Sequence, residues 1–247
     1  MPYLIGLDVG TSSAKVVLTD ERGRVVFTTE SAYAFRTPRP LWAESDPADW
    51  WTASQKALRE LWTKTKVKPA DIAGVGLTGQ MHGLVLLDAS GKVLRPCIMW
   101  NDQRTAKQCA ALTKKVGRAR VLKLTGNPVL PGFTAPKILW VKENEPEVFG
   151  RVSKVLLPKD YLRYQLTGEF FTDVSDASGM SLLDVAKRRW SQEMMEACGV
   201  PRAWLAEVTE APVASARISA TAAKLTGLLA GTPLVAGAGD QARSFIR

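Results

Sequence analysis

The segment Leu4-Ile5-Gly6-Leu7-Asp8-Val9-Gly10-Thr11-Ser12-Ser13 constrains this chain more than any other. It reads as an apolar strand that runs into an acidic residue, a glycine and three hydroxyls. A strand finished this way places one carboxylate and a row of small, donor-rich residues at a tight turn. That arrangement suits a metal-bound polyphosphate, with backbone N–H groups and hydroxyls facing the phosphate oxygens and the aspartate facing the cation. Residues 16–20 read as a second strand, Glu21-Arg22-Gly23-Arg24 as a turn, and residues 25–29 as a third strand. An ordinary β-hairpin with a polar first turn is the alternative these residues leave open.

A chain of 247 residues, 46% hydrophobic and 23% charged, can bury a substantial core and does not have the composition of a disordered segment. No stretch approaches the roughly 20 apolar residues that span a bilayer. The first strand starts almost at once, so no cleaved leader is expected. Cys97, Cys109 and Cys198 form no CxxC pair, and the chain has a single histidine, which argues against structural zinc and for reduced thiols in a cytoplasm. The formal charge of +9 is spread over dispersed lysines and arginines without interleaved aromatics. It is read as a solvated surface, with neither nucleic acid nor membrane as partner.

Asp46-Pro47 supplies an N-cap and a first-turn proline for a helix reaching about Lys64, with Trp50, Ala53, Ala57, Leu58 and Leu61 at helical spacing. Residues 72–78 read as a strand ending at Gly79-Gln80-Met81-His82-Gly83, and residues 84–88 as another. Helical patterns follow over 102–116, 134–143, 158–166 and 190–198. A turn-rich stretch lies between 168 and 178, and residues 233–238 form a last strand ending at Gly239-Asp240-Gln241. Strands and helices in mixed order argue for an α/β fold.

Three strand ends therefore carry polar residues: Asp8-Val9-Gly10-Thr11, Gln80-Met81-His82-Gly83 and Gly239-Asp240-Gln241. Ligands of open α/β sheets gather beyond strand ends, so the three can converge on one cleft. Taken singly, Asp8 reads equally as a turn residue, His82 as a satisfied core histidine and Asp240 as an Asx-turn.

With Trp100-Asn101-Asp102-Gln103-Arg104 and Ser175-Asp176-Ala177-Ser178-Gly179 added, these pieces resemble, in order and over nearly the whole chain, the N-terminal domain of the FGGY family of carbohydrate kinases. The Met81-His82 pair resembles the pentulose-binding dipeptide of the family's D-xylulose-phosphorylating branch, where glycerol kinases carry Arg-Glu. The resemblance implies a ribonuclease-H-like (actin-like ATPase) domain, a mixed sheet flanked by helices, spanning residues 1–242. It implies ATP and Mg²⁺, phosphorylation of D-xylulose to D-xylulose 5-phosphate, and leaves a homodimer open.

Site roles follow from the same resemblance. Asp240 matches the catalytic carboxylate that accepts the sugar proton, useful for orientation and for late proton acceptance in a loose transition state. Asp8 matches the catalytic aspartate near Mg²⁺ and the phosphates. Gly10, Thr11, Ser12 and Ser13 match the phosphate loop, and Lys15 falls where glycerol kinases have a phosphate-proximal arginine. Met81, His82, Asp240 and Gln241 match sugar contacts. Trp100, Asn101, Asp102, Arg104 and Phe133 are expected to line or support the pocket, with a core role for Trp100 as the alternative.

Family members are about twice this length and close a second lobe over the cleft. The sequence is therefore read as cut short, with an atypical tail over 243–247 and no nucleotide lobe. Weak sugar binding and little turnover are expected of it alone. A kinase for another ketose or polyol, and a non-catalytic sugar-binding remnant, are the competing readings.

Overall fold

The computed structural model of the chain describes residues 2–240. Gln241 and the 243–247 tail lie outside the described residues. Tyr3–Val9, Ser13–Asp20 and Val25–Ala32 form an antiparallel meander. Ile72–Gly79 joins it parallel to Tyr3–Val9, and Pro233–Val235 and Ala214–Arg217 extend the sheet on that side. The short strand Ala238–Gly239 also pairs with Ile72–Gly79, giving a seven-stranded mixed sheet.

Alternation along the first strand decides which face is covered. Ile5, Leu7 and Val9 are buried against the helices, whereas Leu4 is 47% exposed and Asp8 shares its face. Helix Pro47–Lys64 packs on this sheet through Trp50, Ala57, Leu58 and Leu61, the periodic residues of its sequence. The Asp46 side chain accepts the Ala48 N–H at 2.9 Å, as its position before Pro47 requires. Helices Pro158–Thr167 and Ala220–Thr226 pack beside it in the same layer.

A second core lies in the insertion between Gly79 and Ala214. Helices Ala106–Val116, Arg118–Thr125, Thr134–Asn144 and Gln192–Cys198 enclose Leu112, Val121, Ile138, Val141, Met180 and Met194. Strand Val85–Leu87 joins the two cores: Leu84 and Leu86 face the insertion, Val85 and Leu87 the sheet layer. No helix of the described residues is long and apolar enough to cross a membrane.

The structure corrects several boundaries. The helix expected over 102–116 begins at Ala106, because the Asp102 carboxylate accepts the Arg104 N–H at 2.9 Å and holds a turn. The stretch 168–178 is not all turn. Phe171–Asp173 pairs with Glu207–Thr209, and Asp173 caps helix Val174–Ser178 by accepting the Ser175 and Asp176 N–H groups at 2.9 and 3.0 Å. Trp190 belongs to a two-residue ladder with Leu183, and the helix starts only after Ser191. The last strand breaks at Gly237, whose φ is +78° and whose α-carbon approaches the Leu77 carbonyl so closely that a Cβ would lie 2.0 Å from it. Helices Arg118–Thr125 and Ala220–Thr226 were not anticipated, although Ser219 is a plain N-cap.

Candidate active site

Sheet register brings the site together. Val9 pairs with Gly79, and Gly79 with Gly239, so three parallel strands end level with one another. Gly10, Gln80 and Asp240 are the next residues and emerge at one sheet edge. There a cavity of about 170 Å³ is lined by Thr11, Met81, His82, Trp100 and Asp240. That volume suits a small polyol and lies well below the roughly 300–1,000 Å³ of drug-sized sites.

The turn after Asp8 is braced from behind. The Gly10 N–H donates to Ser13 O at 3.0 Å, and the Tyr33 hydroxyl lies 2.6 Å from Gly10 O and 3.1 Å from Ser13 O. Gln80 Nε2 adds a bond to Gly10 O at 3.1 Å. Burial, and then the Asp8 charge, raise the Tyr33 pKa, so its hydroxyl keeps its proton. Trp100 Nε1 donates to Thr11 Oγ1 at 3.1 Å, tying the turn to the opposite wall. Trp100 is 46% exposed, which excludes a core role. Lys15 stands across from Asp8 in the antiparallel pair, and its ammonium is 3.8 Å from Glu30. Asp8 itself is half-buried on this strand, beside the cavity but not in its lining.

His82 adopts a left-handed backbone, φ +64°. Its Nδ1 lies 3.1 Å from Gly179 O. A carbonyl can only accept, so Nδ1 carries the hydrogen and Nε2 is left as an acceptor for a hydroxyl in the pocket. Burial, then the nearby Lys137 charge, push its pKa down to about 4, so the ring is neutral at pH 7. Phe133 packs on the imidazole with ring centroids 4.6 Å apart.

Asp240 follows a strand end packed with no slack. A Cβ on Gly239 would lie 2.6 Å from Met81 Cγ and 3.2 Å from Asp176 Oδ1. Behind it lies a buried ionic cluster. Lys159 contacts Asp160, Asp173 at 2.9 Å and Asp176 at 3.8 Å, while Arg163 donates to Ser215 Oγ at 2.8 Å and to the Ala236 carbonyl. Two cations face three carboxylates. Burial first, then the neighbouring Asp173, Asp160 and Asp240 charges against the pull of Lys159, raise the Asp176 pKa well above the ordinary carboxylate range. A protonated Asp176 leaves the cluster neutral, which a dry interior favours.

Asp102 and Arg104 do not line the pocket. Both are buried and ion-paired at 2.7 Å. Arg104 also reaches Glu44 at 2.8 Å, and Asp102 accepts the Ala43 N–H at 2.7 Å. They hold the base of the Trp100 turn. Asn101 is half-buried there, its Oδ1 without a hydrogen bond among the described residues. Sequence reasoning assigned no role to Gln80, Tyr33, Lys137, Lys159 or Gly179. Gly179 and Gln80 belong to motifs already quoted, and the others carried no local signal. A larger depression of about 550 Å³ lies between Arg120, Trp190 and Arg202. Arg120–Glu193, Arg188–Glu210 and Arg202–Glu207 pairs line or flank it, with Lys187 and Arg189 among them.

Residues 3–246 match the FGGY family of carbohydrate kinases, N-terminal domain. The xylulose kinase of Escherichia coli (strain K12) is 47% identical over 242 residues, 98% of this chain and 49% of that enzyme. That of Bacillus subtilis (strain 168) is 41% identical over 242 residues, 98% of this chain and 48% of its own. The structure of xylulose kinase from Rhodospirillum rubrum overlays with a TM-score of 0.92 at 33% identity, covering 97% of this chain and 49% of that one. A mixed sheet flanked by helices is the actin-like ATPase fold of the sugar kinases. This chain belongs to the FGGY family of carbohydrate kinases, in its N-terminal domain. It spans about half the length of the curated relatives it matches.

Proposed function

We propose that this chain is the sugar-binding part of a kinase that transfers the γ-phosphate of ATP to D-xylulose, giving D-xylulose 5-phosphate, with residues 1–242 as the sugar-side domain. The observation that carries the reading is the level ending of three parallel strands, which gathers Thr11, Met81, His82 and Asp240 on one small cavity. In it, Nε2 of the neutral His82 accepts a hydrogen bond from a sugar hydroxyl, while Met81 and Trp100 form adaptable and flat apolar walls. Asp240 orients the attacking hydroxyl and takes its proton as the bond to phosphorus forms. The Thr11, Ser12 and Ser13 hydroxyls and the backbone N–H groups of the turn face the phosphate oxygens, with Lys15 as a nearby point charge.

Mg²⁺ fits this turn through Asp8. No group of three or more ligating side chains exists among the described residues. One carboxylate completed by phosphate oxygens and waters is a common way for Mg²⁺ to be held. When bound, the ion neutralises phosphate charge during transfer. The three buried, unpaired thiols suit a cytoplasmic setting.

Calorimetric titration of the chain with D-xylulose, other ketoses and glycerol tests the sugar assignment. ADP release by the protein containing this chain tests the transfer. D-Xylulose binding that is lost in His82→Ala supports the reading. Preference for another polyol would reassign the substrate, and no heat with any sugar would overturn it.

A further inference from the structure

The sugar wall is assembled from three separate segments, and one buried cation touches two of them. Lys137 is wholly buried in helix Thr134–Asn144. Its Nζ donates to His82 O at 2.8 Å and to Gly132 O at 2.7 Å. Thr134 Oγ1 makes a longer bond, 3.2 Å, to the same His82 carbonyl. Gly132 in turn abuts the third segment, since a Cβ there would lie 2.8 Å from Trp100 O. The residue after Gly132 is Phe133, which packs on the His82 ring.

His82 needs such a hold. A left-handed backbone is unfavourable for a histidine and persists only where its surroundings impose it. Burying an ammonium between carbonyls is also unfavourable, and burial brings the Lys137 pKa down to about 7. Around it, Cys97, Asp102 and Cys109 favour the charge and Arg104 opposes it. Two unfavourable choices meeting at one carbonyl indicate a geometric requirement.

We propose that Lys137 is the positioning residue of the sugar wall, its ammonium pinning the His82 and Gly132 carbonyls so that Nε2 of His82, its ring packed against Phe133, is presented to the sugar. Lys137 acts through His82 and does not touch the substrate. The proposal rests on the reading of His82 as a sugar contact.

His82 is the only histidine of the chain, so an imidazole-labelled sample reports it alone in a nitrogen-15 NMR spectrum. The wild-type chain should show hydrogen on Nδ1, with protonation near pH 4. A wild-type ring with hydrogen on Nε2 would overturn the proposal without any variant. In Lys137→Met the second tautomer should appear, and the midpoint should rise by about half a unit to one unit as the neighbouring charge goes. D-Xylulose affinity should fall about tenfold or more, as expected when a well-aligned hydrogen bond is lost. Lys137→Gln, which keeps an N–H donor, should recover part of the tautomer preference. A folded Lys137→Met with unchanged tautomer, midpoint and affinity refutes the role. Should that variant fail to fold, the same comparison in Lys137→Gln decides. If wild type binds no sugar, the sugar reading fails, while the tautomer and midpoint still decide whether Lys137 sets the imidazole.

Discussion

Gly179→Ala isolates the second hold on His82. The backbone there is right-handed, φ −79°, so alanine brings no backbone strain. Its Cβ, however, would lie 2.2 Å from both Cε1 and Nδ1 of His82. Ordinary contact begins at 3.4 Å, so the imidazole must retreat by roughly 1.2 Å. The ring cannot carry its backbone along, because Lys137 and Thr134 fix the His82 carbonyl. It must therefore swing, stretching the 3.1 Å bond to Gly179 O beyond use. Losing that bond costs about 1 kcal/mol, and overpacking adds about 1–3 kcal/mol. At roughly 2–4 °C per kcal/mol for a chain of this size, Tm should fall by about 5–15 °C. With Nε2 about 1 Å out of place, D-xylulose affinity should drop about tenfold, and kcat/KM of the kinase about a hundredfold. Calorimetry and thermal unfolding check both numbers. Gly117→Ala is the control: φ is +88° with nothing near, so it should lower Tm and leave sugar affinity alone. Wild-type D-xylulose affinity in Gly179→Ala would refute the reasoning.

Asp240→Asn should lower turnover by about 10²–10⁴ while changing the sugar Kd less than tenfold, and ADP release at wild-type rate would remove Asp240 from its role. For His82, the folded pKa of about 4 lies below the ordinary 6.5, so the unfolded chain takes up its proton first as pH falls. Stability should therefore decline between about pH 6.5 and 4, by at most about 3 kcal/mol, and this part of the decline should vanish in His82→Asn. Equal urea-midpoint shifts in both proteins would contradict that. Lys159→Met leaves only Arg163 to face the buried Asp160 and Asp173 and should cost about 3–5 kcal/mol. Asp176→Asn should cost less than Asp173→Asn, since burial already disfavours the charged form of Asp176 and Asp173 also caps a helix. The reverse order in thermal unfolding would show that Asp176 is ionised.

The sequence by itself determined what contiguous residues encode. Asp46-Pro47 and the spacing from Trp50 to Leu61 specify a helix, because capping and periodicity act within a few turns. The strand that runs through Asp8 to Gly10 and the hydroxyls specify a tight, hydroxyl-bearing hairpin turn for the same reason. Met81-His82 and Gly239-Asp240 could be read as strand ends, and register then carries them to one edge. Tertiary structure alone decided what the side chains there do. The nitrogen that His82 presents depends on a carbonyl 97 residues away, and its backbone on an ammonium 55 residues away. Asp102 and Arg104 read as pocket residues beside Trp100, yet Ala43 and Glu44, distant in the chain, draw them into a buried network. Lys159 and Asp176 look like surface charges until burial and one another's fields fix their protonation. Cavities, tautomers and buried charge states are settled by the summed fields and contacts of groups remote in sequence, and local propensity carries no record of them.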